Sequence, residues 1–213
     1  YVSDLRKRVD TKVTSLLDAM EARARETGKP LDMVEMFSAE LPLFTLCEIL
    51  GVEEPDRPKL IKWMHYLEVS ADTMRKGEAL DPQFFGDFVQ NVLEMFEFGK
   101  RVLYDRRANP KPDLLSAIAN AKVDGELLSD EMLDGSWLLI VFAGNDTTRN
   151  SLSGTMKLLT EFPEQKQKLI EDPSRIPNMV HEAIRMVSPV IYMRRTAAED
   201  AEINGQKIAE GEK

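Results

Sequence analysis

The feature that most constrains the fold of this chain is a proline-free stretch, residues 129–160, whose apolar residues recur at helical spacing. Ser129 stands before the acidic residues Asp130 and Glu131, an order typical of a helix N-terminus. A helix over the whole stretch is about 48 Å long at about 1.5 Å per residue, enough to cross a domain. We therefore predict a mainly α-helical chain built around this central helix.

Shorter segments with apolar periodicity predict further helices on both sides of the central one. These helices are expected from the N-terminus to about Gly28, over 43–50, 58–75, 82–107 and 113–121, from Pro163, and over 176–187. Near the C-terminus, the pair Asn204-Gly205 between short alternating segments predicts a small β-hairpin. We expect a single partial domain over residues 1–213. Because the chain opens without Met and stops where a turn is expected, we expect it to belong to a longer protein.

Composition narrows the possible ligands and setting. The chain has 28 basic and 37 acidic residues, and its net charge of −9 argues against binding to nucleic acid or anionic lipid. The single cysteine, Cys47, excludes an internal disulfide and indicates a reducing, cytoplasmic location. The longest apolar run, 137–143, is too short to span a bilayer, so we expect no membrane span. A small or apolar ligand fits these features better.

The middle of the central helix contains weak helix formers, in the run Ala143-Gly144-Asn145-Asp146-Thr147-Thr148. Ala143, Asp146 and Thr147 share one helix face, and Gly144 beside them leaves a shallow notch. The Thr147 hydroxyl can donate to the Ala143 carbonyl, which tends to bend or open a helix. Two interpretations follow: a ligand site at an opened turn, or a packing notch in which Asp146 pairs with a Lys or Arg.

A later helix carries Glu182 and Arg185, three residues apart. On an exposed helix such a pair contributes only a few tenths of a kcal/mol, whereas a buried pair is a structural lock. His181 and Glu182 begin a possible zinc motif, but Arg185 stands where the second histidine is required. His65 is predicted to lie at the solvent edge, and Cys47, without neighbouring glycines, to be a buried structural thiol.

Taken in order along the chain, these motifs resemble those of the cytochrome P450 monooxygenases. In that family the central helix carries Ala/Gly-Gly-x-Asp/Glu-Thr-Thr, matched by residues 143–148, and a later helix carries Glu-x-x-Arg, matched by Glu182 and Arg185. The segments 124–126, 129–131, 162–164 and 195–205 also resemble bacterial members. The resemblance covers nearly all of the chain, corresponds to about the middle half of a family member, and implies the P450 fold with haem b as cofactor.

The resemblance also implies roles for individual residues. Asp146 and Thr147 correspond to the acid and alcohol that guide protons to the dioxygen activated at the haem. Ala143 and Gly144 are expected beside the haem, and Arg195 corresponds to the arginine that pairs with a haem propionate. An apolar substrate pocket is expected from Leu139 and Phe142 on the central helix and Val190 and Ile191 after Pro189.

The family's iron-ligating cysteine is expected beyond Lys213, so no metal ligand is expected in this chain and the chain alone should not be a competent oxygenase. The expected partners are dioxygen, a ferredoxin-type electron donor and an apolar substrate. The substrate class is expected from residues 188–196, which resemble the same segment of hydroxylases of methyl-branched lipids, terpenoids or sterols. One alternative is a non-enzymatic helical scaffold that keeps the fold. Another is an unrelated helical bundle, in which Arg185 is solvated and Asp146 is ion-paired away from any cavity.

Overall fold

The structure, a computed structural model, describes residues 2–213, with side chains from Asp4 onward. The helices are α1 Val2–Thr27, α2 Glu40–Leu50, α3 Arg57–Arg75, α4 Pro82–Ala108, α5 Leu114–Ala119, α6 Asp130–Glu161, α7 Pro163–Glu171 and α8 Ile176–Val187. Two antiparallel hairpins pair β1 Lys122–Val123 with β2 Glu126–Leu127, and β3 Ala201–Ile203 with β4 Gln206–Ile208. The prediction of a mainly helical chain with a hairpin near the C-terminus is confirmed.

The central helix, α6, has the bounds that the sequence predicts to within a residue. The Ser129 hydroxyl accepts a hydrogen bond from the Met132 N–H at 3.3 Å, and two acidic residues lie in the first turn. Every fourth residue is buried along one side of the helix, namely Leu133, Trp137, Val141 and Asn145. This side of α6 faces the core, so the other sides of the helix remain accessible at the surface of the described residues.

The core is organised where α4 crosses α6. The Trp137 indole N–H donates to the Met95 carbonyl at 3.0 Å, and its ring lies 5.8 Å from that of Phe98. A Cβ atom added at Gly99 would lie 2.5 Å from the Trp137 ring, so glycine is what allows this close approach of the two helices. The crossing holds the middle of α6 in place.

An ion cluster joins the first three helices. The Glu48 carboxylate of α2 has only 2% of its side chain exposed, and it accepts from Arg57 of α3 at 2.5 Å and from Arg8 of α1. Buried carboxylates need such partners because desolvation of an unpaired charge is costly. Glu48 therefore links the first three helices of the chain.

Three local features differ from the sequence prediction. Helix α2 begins at Glu40 rather than residue 43, because Pro42 is tolerated in a first turn. A π-helical turn, Val34–Ser38, precedes it and was not predicted. The predicted turn at Asp124-Gly125 carries two short strands, and both residues have positive φ, 53° and 87°, as a tight hairpin requires.

The hairpin at Asn204-Gly205 forms as predicted, with φ of 50° and 81°. Among residues 2–213, no helix is both long and apolar enough to cross a membrane.

Candidate functional site

The site is built on a side of α6 that does not face the core. Leu139, Phe142, Ala143, Asp146 and Thr147 share one side of the helix, because they occupy positions i, i+3, i+4, i+7 and i+8, and we call them the α6 stripe. Leu139 is 65% exposed and Phe142 40% exposed, whereas Asp146 and Thr147 are half-buried. The stripe therefore places an open apolar surface directly beside an acid and an alcohol.

Thr147 makes the hydrogen bond that the sequence predicts. Its hydroxyl donates to the Ala143 carbonyl at 3.2 Å. The expected opening of this turn is not observed, since residues 130–161 form one continuous α-helix. The contact between Leu46 of α2 and Gly144 explains the closed turn, because α2 supports the helix at this point.

Gly144 has a packing role in this structure. A Cβ atom there would lie 2.8 Å from Leu46 Cδ1 of α2, so the notch predicted at Gly144 is filled by a leucine. The assignment of Gly144 to a haem contact stays a prediction, as does that of Ala143, which is exposed.

Asp146 is ion-paired, as the packing interpretation requires. Its Oδ1 lies 2.6 Å from Arg149 Nη2, and the same nitrogen lies 3.2 Å from Glu68 Oε2 of α3. Burial by itself would lower the pKa of Arg149, but the carboxylates of Glu68 and Asp146 outweigh it and raise that pKa. We call Glu68, Asp146 and Arg149 the Arg149 cluster. The sequence analysis missed it because Glu68 is distant in the chain.

Asn145 was also missed by the sequence analysis. It ends the buried side of α6, and its Oδ1 has no hydrogen-bond partner among the described residues. Its place four residues after Val141, on the buried side of the helix, was the available signal.

Glu182 and Arg185 form a bidentate pair on α8, with distances of 2.6 and 2.8 Å. The hydrogen bond lowers the pKa of Glu182 and raises that of Arg185. Their side chains are 60% and 66% exposed, so in this structure the pair contributes little to stability. Glu182 also borders a cavity of about 520 Å³ between the end of α6, α7 and α8, lined by Leu158, Phe162, Leu169, Met179 and Met186.

The remaining predicted site residues lie on the segment between α8 and β3. Val190 and Ile191, the second wall expected for the substrate pocket, are exposed to solvent. Leu139 and Phe142 of the α6 stripe are exposed in the same way. Arg195 is exposed, and its guanidinium donates to the Arg194 carbonyl at 2.9 Å. Within the described residues Arg195 has no ion pair, so its charge is available to an anionic group.

Two features of the described residues match in kind what a planar apolar cofactor with carboxylates requires. The α6 stripe offers exposed apolar side chains next to the small residue Ala143, and Arg195 offers an exposed cation. Cys47 does not fit as an axial ligand, because it is fully buried and desolvation raises its pKa to about 11. The prediction of a buried structural thiol is confirmed, as is the exposed position of His65.

Among residues 2–213 no group of three or more His, Cys, Asp or Glu side chains could hold a metal ion.

The family model and the similar proteins point to the same family. The family model described as Cytochrome P450 matches residues 2–213. A linalool 8-monooxygenase of Pseudomonas putida is 34% identical over 213 residues, which are 100% of this chain and 50% of that protein. A methyl-branched lipid omega-hydroxylase of Mycobacterium tuberculosis (strain ATCC 25618 / H37Rv) is 33% identical over 191 residues, 89% of this chain and 43% of that protein.

A solved structure agrees with the sequence matches. The Mycobacterium marinum cytochrome P450 CYP268A2 in complex with pseudoionone superposes with a TM-score of 0.80 at 33% identity, over 99% of this chain and 50% of that one. The chain thus spans about half the length of the relatives it matches. The alternative of an unrelated helical bundle is wrong, although Asp146 is ion-paired and Arg185 is exposed as that alternative required.

Proposed function

The chain belongs to the cytochrome P450 family, and on this premise we propose that the full-length protein is a haem-thiolate monooxygenase of an apolar substrate. The substrate class is a lipid, a terpenoid or a steroid-like molecule. Dioxygen is the oxidant, and a ferredoxin-type protein is the electron donor. The thiolate ligand is expected outside residues 1–213.

The observation that carries this proposal is the α6 stripe. Leu139 and Phe142 are large apolar side chains that the fold leaves 65% and 40% exposed. Covering them with an apolar molecule is favourable by about 25 cal/mol per Å² of apolar surface removed from water. The names of the relatives, a linalool monooxygenase and a methyl-branched lipid hydroxylase, support a substrate of this chemistry.

The residues beside this surface can supply protons. When bound, the haem supplies the activation of dioxygen, and Ala143, Gly144 and Arg195 are the residues expected to hold it. Asp146 is partly exposed to solvent, and Thr147 follows it on the same stripe. The Thr147 oxygen can accept a hydrogen bond from water while its hydrogen is held by the Ala143 carbonyl. When the hydroxyl rotates, it donates its own hydrogen toward the apolar part of the stripe and takes up a proton from that water in exchange.

The reaction needs electrons from outside the described residues. Hydroxylation places one oxygen atom of dioxygen in the substrate and releases the other as water, which consumes two electrons and two protons. The proposal assigns this supply of electrons to the ferredoxin-type protein, and the cytoplasmic location stays a prediction.

Replacement of Thr147 in the full-length protein tests the proton-delivery role. In Thr147→Ala, we expect unchanged electron uptake, more peroxide release and less product per electron, because the hydroxyl that passes the proton is gone. The control is Thr148→Ala, since Thr148 is the neighbouring threonine and is exposed. Equal product per electron in Thr147→Ala and the unmodified protein would contradict the role of Thr147.

A further inference from the structure

The Arg149 cluster has an uncommon geometry, because one nitrogen atom contacts two carboxylates. Arg149 Nη2 lies 2.6 Å from Asp146 Oδ1 and 3.2 Å from Glu68 Oε2. The two acids belong to different helices, Asp146 to α6 and Glu68 to α3. Arg149 therefore connects α6 to α3 through a single nitrogen atom.

The charges of the cluster do not balance. Two carboxylates and one guanidinium sum to one negative charge, and both acids converge on the same cation. Removal of that cation would leave both carboxylates without this counter-charge. The cluster is thus sensitive to the loss of Arg149 in a way that a simple pair is not.

The cluster is less exposed than the ion pair on α8. The side chains of Arg149, Glu68 and Asp146 are 26%, 29% and 41% exposed, whereas the pair Arg185–Glu182 is more than half exposed. Less exposed charges are screened less by water and salt. The attraction between Arg149 and Asp146 is therefore screened less than that of the pair on α8.

From this geometry we propose that Arg149 is a positioning residue for Asp146, and that Glu68 links the acid of the α6 stripe to α3. Arg149 holds the Asp146 carboxylate in one direction, while Glu68 shares the guanidinium and limits how strongly it holds Asp146. This inference rests on the proposed function, since it acts on the proton delivery assigned to Asp146 and Thr147.

The first test compares three variants of the full-length, haem-loaded protein. In Arg149→Gln, we expect kcat to fall about tenfold, with KM for an apolar substrate unchanged. The fall is smaller than the roughly 10²–10⁴-fold effect of a group that itself transfers the proton, because Arg149 only positions Asp146. The solvent deuterium isotope effect should rise, because proton delivery becomes slower. Arg149→Lys should restore part of kcat, because it keeps the charge.

Glu68→Gln is the third variant. We expect it to leave KM unchanged and to shift kcat less than Arg149→Gln, because the contact between Arg149 and Asp146 remains. The matched control is Lys157→Gln, which removes a cation from an exposed pair with Glu161 on the same helix. It should change neither kcat nor the isotope effect.

The second test does not depend on activity. The unfolding of Arg149→Gln, Glu68→Gln and the double variant is measured by denaturant titration, and the two single effects should not add, because both variants break one shared contact. Additive effects would contradict the link to α3. An unchanged kcat and isotope effect in Arg149→Gln would contradict the positioning role.

The two proposals fail in different ways. If Thr147→Ala uncouples electron uptake from product while Arg149→Gln behaves like the unmodified protein, only the role of Arg149 is wrong. If the full-length protein binds no haem, both proposals are wrong, whatever the unfolding measurements show.

Discussion

At the scale of single residues, Gly99 determines how closely α4 can approach α6. A Cβ atom at this position would meet the Trp137 ring at 2.5 Å, and that ring is anchored by its hydrogen bond to Met95. The ring cannot move aside without losing this bond. The placement of the α6 stripe thus depends on the absence of one methyl group in a neighbouring helix.

Gly99→Ala should therefore destabilise the full-length protein by about 1–3 kcal/mol, the usual cost of overpacking a core. The control is Gly86→Ala in the same helix, where an added Cβ meets nothing within 4 Å. That variant should be stabilising by about 0.5–1 kcal/mol, because alanine favours helix. Urea titration gives both free energies of unfolding, and equal effects of the two variants would contradict the contact with Trp137.

Glu48 gives a second prediction at this scale. Its carboxylate is the buried partner of Arg57 and Arg8, so Glu48→Gln leaves two cations without their counter-charge. We expect a loss of about 3–5 kcal/mol, as for one partner removed from a buried ion pair. Glu182→Gln, which breaks an exposed pair, should change the free energy of unfolding far less than Glu48→Gln. Similar losses of unfolding free energy in Glu48→Gln and Glu182→Gln would show that the burial of Glu48 does not cause the effect of its replacement.

At the scale of elements, α5 depends on the residue that precedes it. Asp113 accepts from the Ser116 N–H at 2.8 Å and from Arg106 at 2.7 Å. Desolvation works to raise the pKa of Asp113, but the hydrogen bonds from Ser116 and Arg106 outweigh it and lower the pKa from its ordinary value of 3.8. The charged carboxylate is therefore the form that stabilises the start of α5.

The lowered pKa of Asp113 makes the stability of the folded protein depend on pH. Because the pKa is lower in the folded protein, the stabilisation by Asp113 is present above pH 3.8 and is lost as the pH falls further, through the folded pKa. Asp113→Asn should be less stable than the unmodified protein at neutral pH, and the difference should shrink below pH 3.8. Asp18→Asn, at an exposed position of α1, is the control. A difference that does not vary with pH would contradict the role of the charge.

The elements also show what the sequence could predict. Helix α6 and the hairpin at Asn204-Gly205 were predictable because the helix start, the apolar spacing and the turn residues are local signals. Helical periodicity placed Ala143, Asp146 and Thr147 on one face of α6, whereas Leu139 and Phe142 were expected from the family resemblance. The contact of Arg149 with Glu68 could not be predicted, because it depends on how α3 packs against α6. The filling of the Gly144 notch by Leu46 depends on packing in the same way.

At the scale of the whole molecule, the chain spans about half the length of the relatives it matches and has large apolar side chains exposed. Several of them lie on α8 and the following segment, including Ile176, Val180, Ile184, Ile191 and Met193. Exposed apolar patches of this kind mark surfaces that other groups cover. The proposed cofactor and substrate, together with the rest of the protein, account for such covering.

The reduced carbon monoxide difference spectrum of the full-length protein is the most direct test of the haem-thiolate assignment. We predict the absorption band characteristic of thiolate-ligated haem in the full-length protein, and no such band from residues 1–213 alone, because Cys47 is buried and its pKa is raised to about 11. A full-length protein that binds no haem would contradict the oxygenase proposal and would leave the non-enzymatic helical scaffold as the better explanation of this fold.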